Sequence, residues 1–205
     1  MMITRRNFLK VSALAGGGLA MAVSIPGTSA MLAGDEISSF DLGAFLNIDT
    51  NGNITFLLTK HEMGQGSGTG LPMIIADELG ADWSKVTLKR SDYNPKFDSR
   101  IMGTTGGSGT ISKMWQPLRE AGATVREMLK SAAATRWNVS PNVLTVENSF
   151  VVNPNGEKLE FGELAEEAAK LEVPTEVKLK DVKEFKYVGQ PVKNLITNDV
   201  VMGKG

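Results

Sequence analysis

Residues 54–80 read Ile-Thr-Phe-Leu-Leu-Thr-Lys-His-Glu-Met-Gly-Gln-Gly-Ser-Gly-Thr-Gly-Leu-Pro-Met-Ile-Ile-Ala-Asp-Glu-Leu-Gly. The first part, within Asn53–Thr59, is a short apolar-rich run of strand length. Residues 60–70 form a glycine-rich loop. Beyond it Leu71, Ile74, Ile75, Glu78 and Leu79 keep helical spacing up to Gly80, a residue suited to a helix C-cap. A strand, a glycine loop and a helix therefore follow one another.

Upstream, Ala44–Asp49 is a second apolar-rich run, joined to the first by Thr50-Asn51-Gly52. Asn-Gly between two such runs is a strong hairpin signal. Downstream, Lys85–Arg90 alternates Val86 and Leu88 with polar neighbours and reads as a strand, followed by a polar loop over Ser91–Met102. A second glycine loop, Gly103-Thr-Thr-Gly-Gly-Ser-Gly109, leads into a long helical pattern. There Ile111, Trp115, Leu118, Val125, Leu129 and Ala132 share one face. Pro117 has no amide hydrogen, so the helix either begins near Gln116 or is kinked there. Val143–Glu147 and Phe150–Asn153 read as another hairpin and Gly162–Leu171 as a short helix. The Lys/Glu alternation over 176–186 reads as a solvated strand or linker. The order β-β-α-β-α-β-β-α gives a two-layer α/β (α+β) fold, a mixed sheet with helices on one face and glycine loops before the helices.

The composition narrows the chemistry. The 205 residues carry 22 Lys+Arg against 23 Asp+Glu, without a polybasic face, so nucleic acid is not an expected partner. Zero cysteines exclude disulfides, thiolate zinc sites, cysteine-held iron–sulfur clusters and a cysteine nucleophile. A single histidine excludes a multi-histidine metal cage. Trp83, Trp115 and Trp137 are read as core anchors, Met63 and Met73 as gap-fillers, and His61 as a surface or cap group. Glu62 has no visible partner carboxylate and is read as a hydrogen-bond acceptor for loop amides.

The first thirty residues look like a twin-arginine signal peptide. Arg5 and Arg6 stand in a basic opening, Val11–Ile25 is weakly hydrophobic and short for a membrane span, and Gly27-Thr28-Ser29-Ala30 supplies small residues near a cleavage point. The expectation is export by the twin-arginine machinery to the periplasm, or membrane anchoring if the leader is not cleaved. Such signals resemble those of proteins exported already folded, often around a cofactor.

Eight of the 22 glycines sit in the heptapeptides 64–70 and 103–109. Glycine at that density costs backbone entropy and suits positive φ or close approach to a ligand. Amides in such loops, with a helix N-terminus behind them, can cradle a phosphate. They can also be ordinary loop-to-helix turns. Neither loop is a Walker loop, and neither is a clean dinucleotide-binding G-x-G-x-x-G.

Glu62-Met-Gly-Gln-Gly-x-x-Thr69, with Leu71–Gly80 and Asp82–Leu88 behind it, resembles the molybdopterin-binding segment of the xanthine dehydrogenase/aldehyde oxidase family. It is most like the N-terminal part of the large (beta) subunit of isoquinoline 1-oxidoreductase-type enzymes. Gly103-Thr-Thr-Gly-Gly-Ser-x-Thr110 and Trp115-x-Pro-Leu-Arg-x-Ala-Gly-Ala123 resemble the next block, as do Arg136–Val139, Gly162–Ala165, Val173-Pro174 and Phe185–Pro191. The resemblance spans nearly all of the chain beyond residue 30. It implies a molybdenum hydroxylase acting on N-heterocycles or aldehydes. Its cofactor would be molybdopterin, in the plain or cytosine dinucleotide form, and its electrons would leave through a separate small [2Fe-2S] subunit.

The same resemblance implies that Gly64, Gln65, Gly66, Gly68 and Thr69 meet the cofactor from the first loop and Gly106, Gly107 and Ser108 from the second. No residue here is expected to be catalytic or to ligate metal, because the family's catalytic glutamate lies far downstream of residue 205. The expected organisation is a leader at 1–30, a linker at 31–43, a partial molybdopterin-binding domain at 44–172 and an extended segment at 173–205 leading to further domains. Alone, such a piece is expected to be inactive. The alternative is a non-catalytic periplasmic remnant or small-ligand-binding module.

Overall fold

A computed structural model of the chain describes residues 9–13, 17–23, 44–91 and 105–204. Arg5, Arg6, the 31–43 linker, the polar loop over 92–102 and Gly103-Thr104 lie outside these residues.

The Asn-Gly hairpin forms as the sequence predicts. β3 (Ala44–Ile48) and β4 (Ile54–Leu58) pair antiparallel with Ile48 opposite Ile54 and Leu46 opposite Phe56. Gly52 takes φ 75° in the turn, and the Asp49 carboxylate accepts from the amides of Asn51 and Asn53, each at 2.9 Å. From β4 the chain crosses through α1 (Ser67–Leu79) and returns as β5 (Val86–Arg90), parallel to β4. A parallel pair needs such a crossover, and the crossover puts the first glycine loop at the carboxyl end of β4. The Gly80 cap is as predicted: it adopts φ 78° and donates to Ala76 and Asp77 carbonyls. α1 begins four residues earlier than the spacing suggested, because Ser67 to Gly70 are already helical.

The second helix departs more. α2 runs unbroken over Gly109–Trp137 with Pro117 inside it, so no boundary falls at Gln116. It ends on Asn138 in the left-handed region. Gly122 lies where α2 crosses α1. A Cβ there would sit 2.9 Å from both the Ile75 carbonyl oxygen and the Glu78 Cβ, so glycine sets the approach of the two helices.

Two sheets form where one was expected. β6 (Thr145–Glu147), β7 (Phe150–Val152) and β8 (Lys158–Glu160) make a separate antiparallel sheet, with Asn148 and Ser149 both at positive φ in the two-residue turn. β8 had no sequence signal beyond three residues. α3 (Phe161–Ala169) follows it directly and buries Phe161, Leu164, Ala165 and Ala168.

The main sheet extends beyond the hairpin. Inside the run read as a leader, β1 (Leu9–Ala13) and β2 (Leu19–Val23) form a hairpin, and β2 pairs antiparallel with β3, giving the order β1-β2-β3-β4-β5. Leu19 and Met21 are fully buried among Leu46, Ile48, Ile54 and Phe56 of the sheet, with Leu71, Ile75 and Leu79 of α1, Leu118 and Leu129 of α2, and Phe161 of α3 in the same core. Each such side chain contributes about 1.5–3 kcal/mol by leaving water. Trp83, Trp115 and Trp137 pack against this core partly buried, as anchors. Met63 does not fill a gap: it is 71% exposed. Among the described residues no helix is long and apolar enough to cross a membrane.

The C-terminal segment is clasped against the fold, though none of its described side chains is fully buried. Apart from a 3-10 turn at Val182–Glu184 and α4 (Thr197–Val201) it has no regular structure. Asp77 and Glu78, buried near the end of α1, hold it. Asp77 accepts from the amides of Lys186 (2.7 Å), Tyr187 (3.1 Å) and Val188 (2.8 Å). Glu78 accepts from Arg119 Nε (2.6 Å) and the Lys180 amide (3.0 Å), with Arg126 at 3.4 Å. Arg119 also donates to the Lys180 carbonyl and lies 5.2 Å from the Phe185 ring centroid. The alternation over 176–186 is therefore neither a strand nor free linker.

Candidate functional site

Glycine concentrates at the start of α1 because the backbone there turns through conformations that L side chains avoid. Gly64 has φ 93° and Gly66, the N-cap, φ 77°. No side chain at the N-cap itself satisfies the first turn; the Glu62 carboxylate does so from four residues upstream. Its Oε1 accepts from the amides of Gly64 (2.8 Å) and Gly66 (2.9 Å). Its Oε2 accepts from the amide of Gly68 (2.7 Å) and the hydroxyl of Ser67 (3.2 Å). Burial raises the carboxyl pKa, and the three amides with the Ser67 hydroxyl outweigh it, so the group is held below its ordinary 4.5.

Gln65 is folded into the same loop. Its Oε1 accepts from the Met63 amide, and its Nε2 donates to the His61 carbonyl (3.0 Å) and Ser67 Oγ (2.9 Å). Thr69 is buried and its hydroxyl accepts from the Leu195 amide at 3.2 Å, which brings the C-terminal segment to the back of the loop. A Cβ on Gly68 would touch both Glu62 and Ile196. The amides of Gly64 and Gly66 and the side chain of Gln65, expected to face a cofactor, are thus bonded within the loop itself.

The second loop lies beside the first. Thr105 donates to the same His61 carbonyl that receives Gln65, at 3.0 Å. Gly107 and Ser108 both take positive φ, 59° and 51°, and Gly109 donates to the Gly106 carbonyl at 3.3 Å. No group among the described residues accepts from the amides of Gly107 or Ser108, and a Cβ on Gly106 or Gly107 would meet nothing within 4 Å. These amides open the N-terminus of a 29-residue helix, whose dipole favours an anion. An ammonium group adds to that field. The Lys113 side chain lies along Gly109, and Lys60 is buried close enough to Lys113 that burial first, and that neighbouring charge second, lower its pKa.

The site is therefore two helix N-termini tied at one carbonyl: one occupied by a carboxylate of the chain, the other without an acceptor among the described residues. An anionic group fits this: the amides of Gly107 and Ser108 suit a phosphate, and Gly64, Gly66, Gly106 and Gly107 put no side chain in its way. His61 is exposed and contributes its carbonyl. Among the described residues no three His, Asp or Glu side chains converge as a metal cage. Sequence reasoning missed Asp77, Glu78 and Leu195. The first two carried a signal: adjacent acids in the last turn of an apolar helix oppose its dipole and so require buried partners.

A family model for the molybdopterin cofactor-binding domain matches residues 5–198. Over 169 residues the chain is 33% identical to a membrane-bound aldehyde dehydrogenase (pyrroloquinoline-quinone) of Gluconacetobacter polyoxogenes, covering 79% of this chain and 21% of that protein. Over 183 residues it is 28% identical to isoquinoline 1-oxidoreductase subunit beta of Brevundimonas diminuta, covering 84% and 22%. The chain spans about a fifth of the length of these curated relatives. Quinoline 2-oxidoreductase from Pseudomonas putida 86 superposes with a TM-score of 0.45 at 24% identity, over 58% of this chain and 15% of that one.

Proposed function

Since the chain belongs to the molybdopterin cofactor-binding domain family, we propose that it supplies one wall of the molybdopterin site in a molybdenum hydroxylase and acts only within a larger enzyme. The observation that carries this reading is the open second loop, Gly106 to Ser108, tied through Thr105 and His61 to the preformed first loop. Gly107 and Ser108 would hold the cofactor phosphate by their amides, with the α2 dipole and Lys113 behind them. Gly64, Gln65, Gly66, Gly68 and Thr69 would form the adjoining wall. When bound, the cofactor supplies a two-electron redox metal; the residues here supply position.

The same reading extends to partners and place. Substrates of the assembled enzyme are N-heterocycles or aldehydes, electrons leave through a small [2Fe-2S] subunit, and the protein reaches the periplasm by the twin-arginine route. Support for the substrate class comes from the heterocycle and aldehyde named in its relatives.

The test is elemental analysis of the native protein, isolated with whatever chains accompany it. The expected result is bound molybdenum with a pterin that fluoresces after oxidation, and mass analysis of the released nucleotide separates the plain pterin from its cytosine dinucleotide. Gly107→Val should lower molybdenum content at least tenfold with the protein still folded. Full molybdenum in that variant removes the second loop from the site, and a quinone in place of molybdenum overturns the reading altogether.

A further inference from the structure

We propose that Glu62 is an internal anion ligand: its carboxylate fills the cradle of the first glycine loop in place of an outside anion, fixes that loop as a preformed wall, and leaves anion binding to the second loop. The inference rests on the proposed function only in what the wall is for.

Three observations carry it. A carboxylate offers about four lone-pair positions, two per oxygen, and Glu62 has four donors, two on each oxygen. It is saturated, so it has no position left with which to take a proton from a substrate. The donors are also those of an anion cradle: amides of alternate glycines leading into a helix, turned inward by φ 93° at Gly64 and 77° at Gly66. A phosphate placed on them would have to displace a group of the same charge sign that is tethered to the chain and needs no diffusional entropy to stay. The third observation is that the pinned loop reaches the second one. Glu62 fixes Ser67, Ser67 accepts from Gln65, and Gln65 and Thr105 share the His61 carbonyl. Glu62 is thus a positioning residue for a cradle it does not touch.

The experiment uses the full chain. Glu62→Ala empties the cradle and should lower Tm by about 4 °C, the scale of a lost helix cap in a chain of this length. Sodium formate should then restore at least half of that loss in the variant, against sodium chloride at equal ionic strength, while the wild type melts alike in both salts. An unchanged Tm in Glu62→Ala, or a loss that formate does not selectively repair, overturns the role of Glu62.

If the alanine variant does not fold, the wild type decides by NMR. The amides of Gly64, Gly66 and Gly68 should titrate together with one midpoint below 4.5, and this step should vanish in Glu62→Gln; three unrelated titrations overturn the inference. Inorganic pyrophosphate added to the wild type should move the Gly107 and Ser108 amides and leave those of Gly64 to Gly68 in place. Movement of the latter overturns the internal-ligand assignment. Movement of neither overturns the second-loop half and the proposed phosphate contact with it, while the formate result still decides Glu62.

Discussion

Replacing Asp77 tests how the C-terminal segment is held. The carboxylate accepts three consecutive amides: Lys186 and Tyr187 on Oδ1 at 2.7 and 3.1 Å, and Val188 on Oδ2 at 2.8 Å. Asparagine keeps an acceptor for the first two but turns a donor toward the Val188 amide, so it loses one charge-assisted bond and opposes two donors. A hydrogen bond to a charged group contributes about 1.5–3 kcal/mol, so Asp77→Asn should cost about 2 kcal/mol. Asp77→Ala removes all three acceptors, yet its cost stops near 4 kcal/mol, because the segment can lift away and return its amides to water. At about 2–4 °C per kcal/mol for this length, the asparagine variant should melt about 6 °C low. Denaturant titration gives the free energies, and hydrogen exchange at Lys186 to Val188 shows whether the segment has opened. An asparagine variant within 0.5 kcal/mol of wild type, or a destabilised one with full protection at these amides, refutes the reasoning.

Other expected outcomes follow from the same geometry. Gly122→Ala gains about 1 kcal/mol of helix propensity but places a methyl 2.9 Å from the Ile75 carbonyl oxygen. Overpacking of that kind costs about 1–3 kcal/mol, so denaturant unfolding should show net destabilisation. Arg136→Ala breaks a pair with Glu167 that is 34% and 47% exposed and should cost under about 1 kcal/mol, less still in 1 M salt. The Glu62 carboxyl is held below 4.5 in the folded chain, so it adds stability above that pH and loses it as pH falls through the folded value. The Tm difference between wild type and Glu62→Gln should therefore be constant above pH 5 and shrink below 4.5. A difference that widens on acidification would reverse the sign.

Local signals were legible where local chemistry decided the outcome. Asn51-Gly52 fixed a hairpin, Gly80 a helix end, and the two glycine loops the starts of two helices, because each depends on φ at a few residues. Pro117 misled, since a proline early in a long helix is tolerated when the helix's apolar face is packed against a partner, here α1. The clasp over 180–188 was invisible because it links residues 61 to 111 positions apart, and Lys/Glu alternation looks the same whether solvated or bound. β1 and β2, within the run read as a leader, were not legible as strands because weak hydrophobicity with Ala and Gly carries no alternating pattern. In the site, the loops were legible, and so was Glu62 as an acceptor for loop amides, which the bonds from Gly64, Gly66 and Gly68 bear out; that the Gly107 and Ser108 amides meet no acceptor among the described residues was not.

The three acids around α1 are each fully engaged in holding the fold. A general base needs an open lone pair facing the proton it takes, whatever its pKa. Glu62 has two donors on each oxygen, Asp77 spends both oxygens on three amides, and Glu78 lies fully buried between two guanidinium groups and an amide. Each is anchored to a different part of the fold: Glu62 to the glycine loop, Asp77 to residues 186–188, Glu78 to α2 and Lys180. Together they hold α1 at both ends, so the helix behind the first loop cannot shift without breaking a buried or saturated carboxylate. The Thr69–Leu195 bond closes the circuit, running the clasped segment from the far end of α1 back to the loop. Rigidity bought this way is what a cradle for a large cofactor requires, since a ligand that must order its own site loses affinity to that ordering. In the proposed reading, the amides of Gly107 and Ser108, which meet no acceptor among the described residues, are the part of this wall that a ligand would complete.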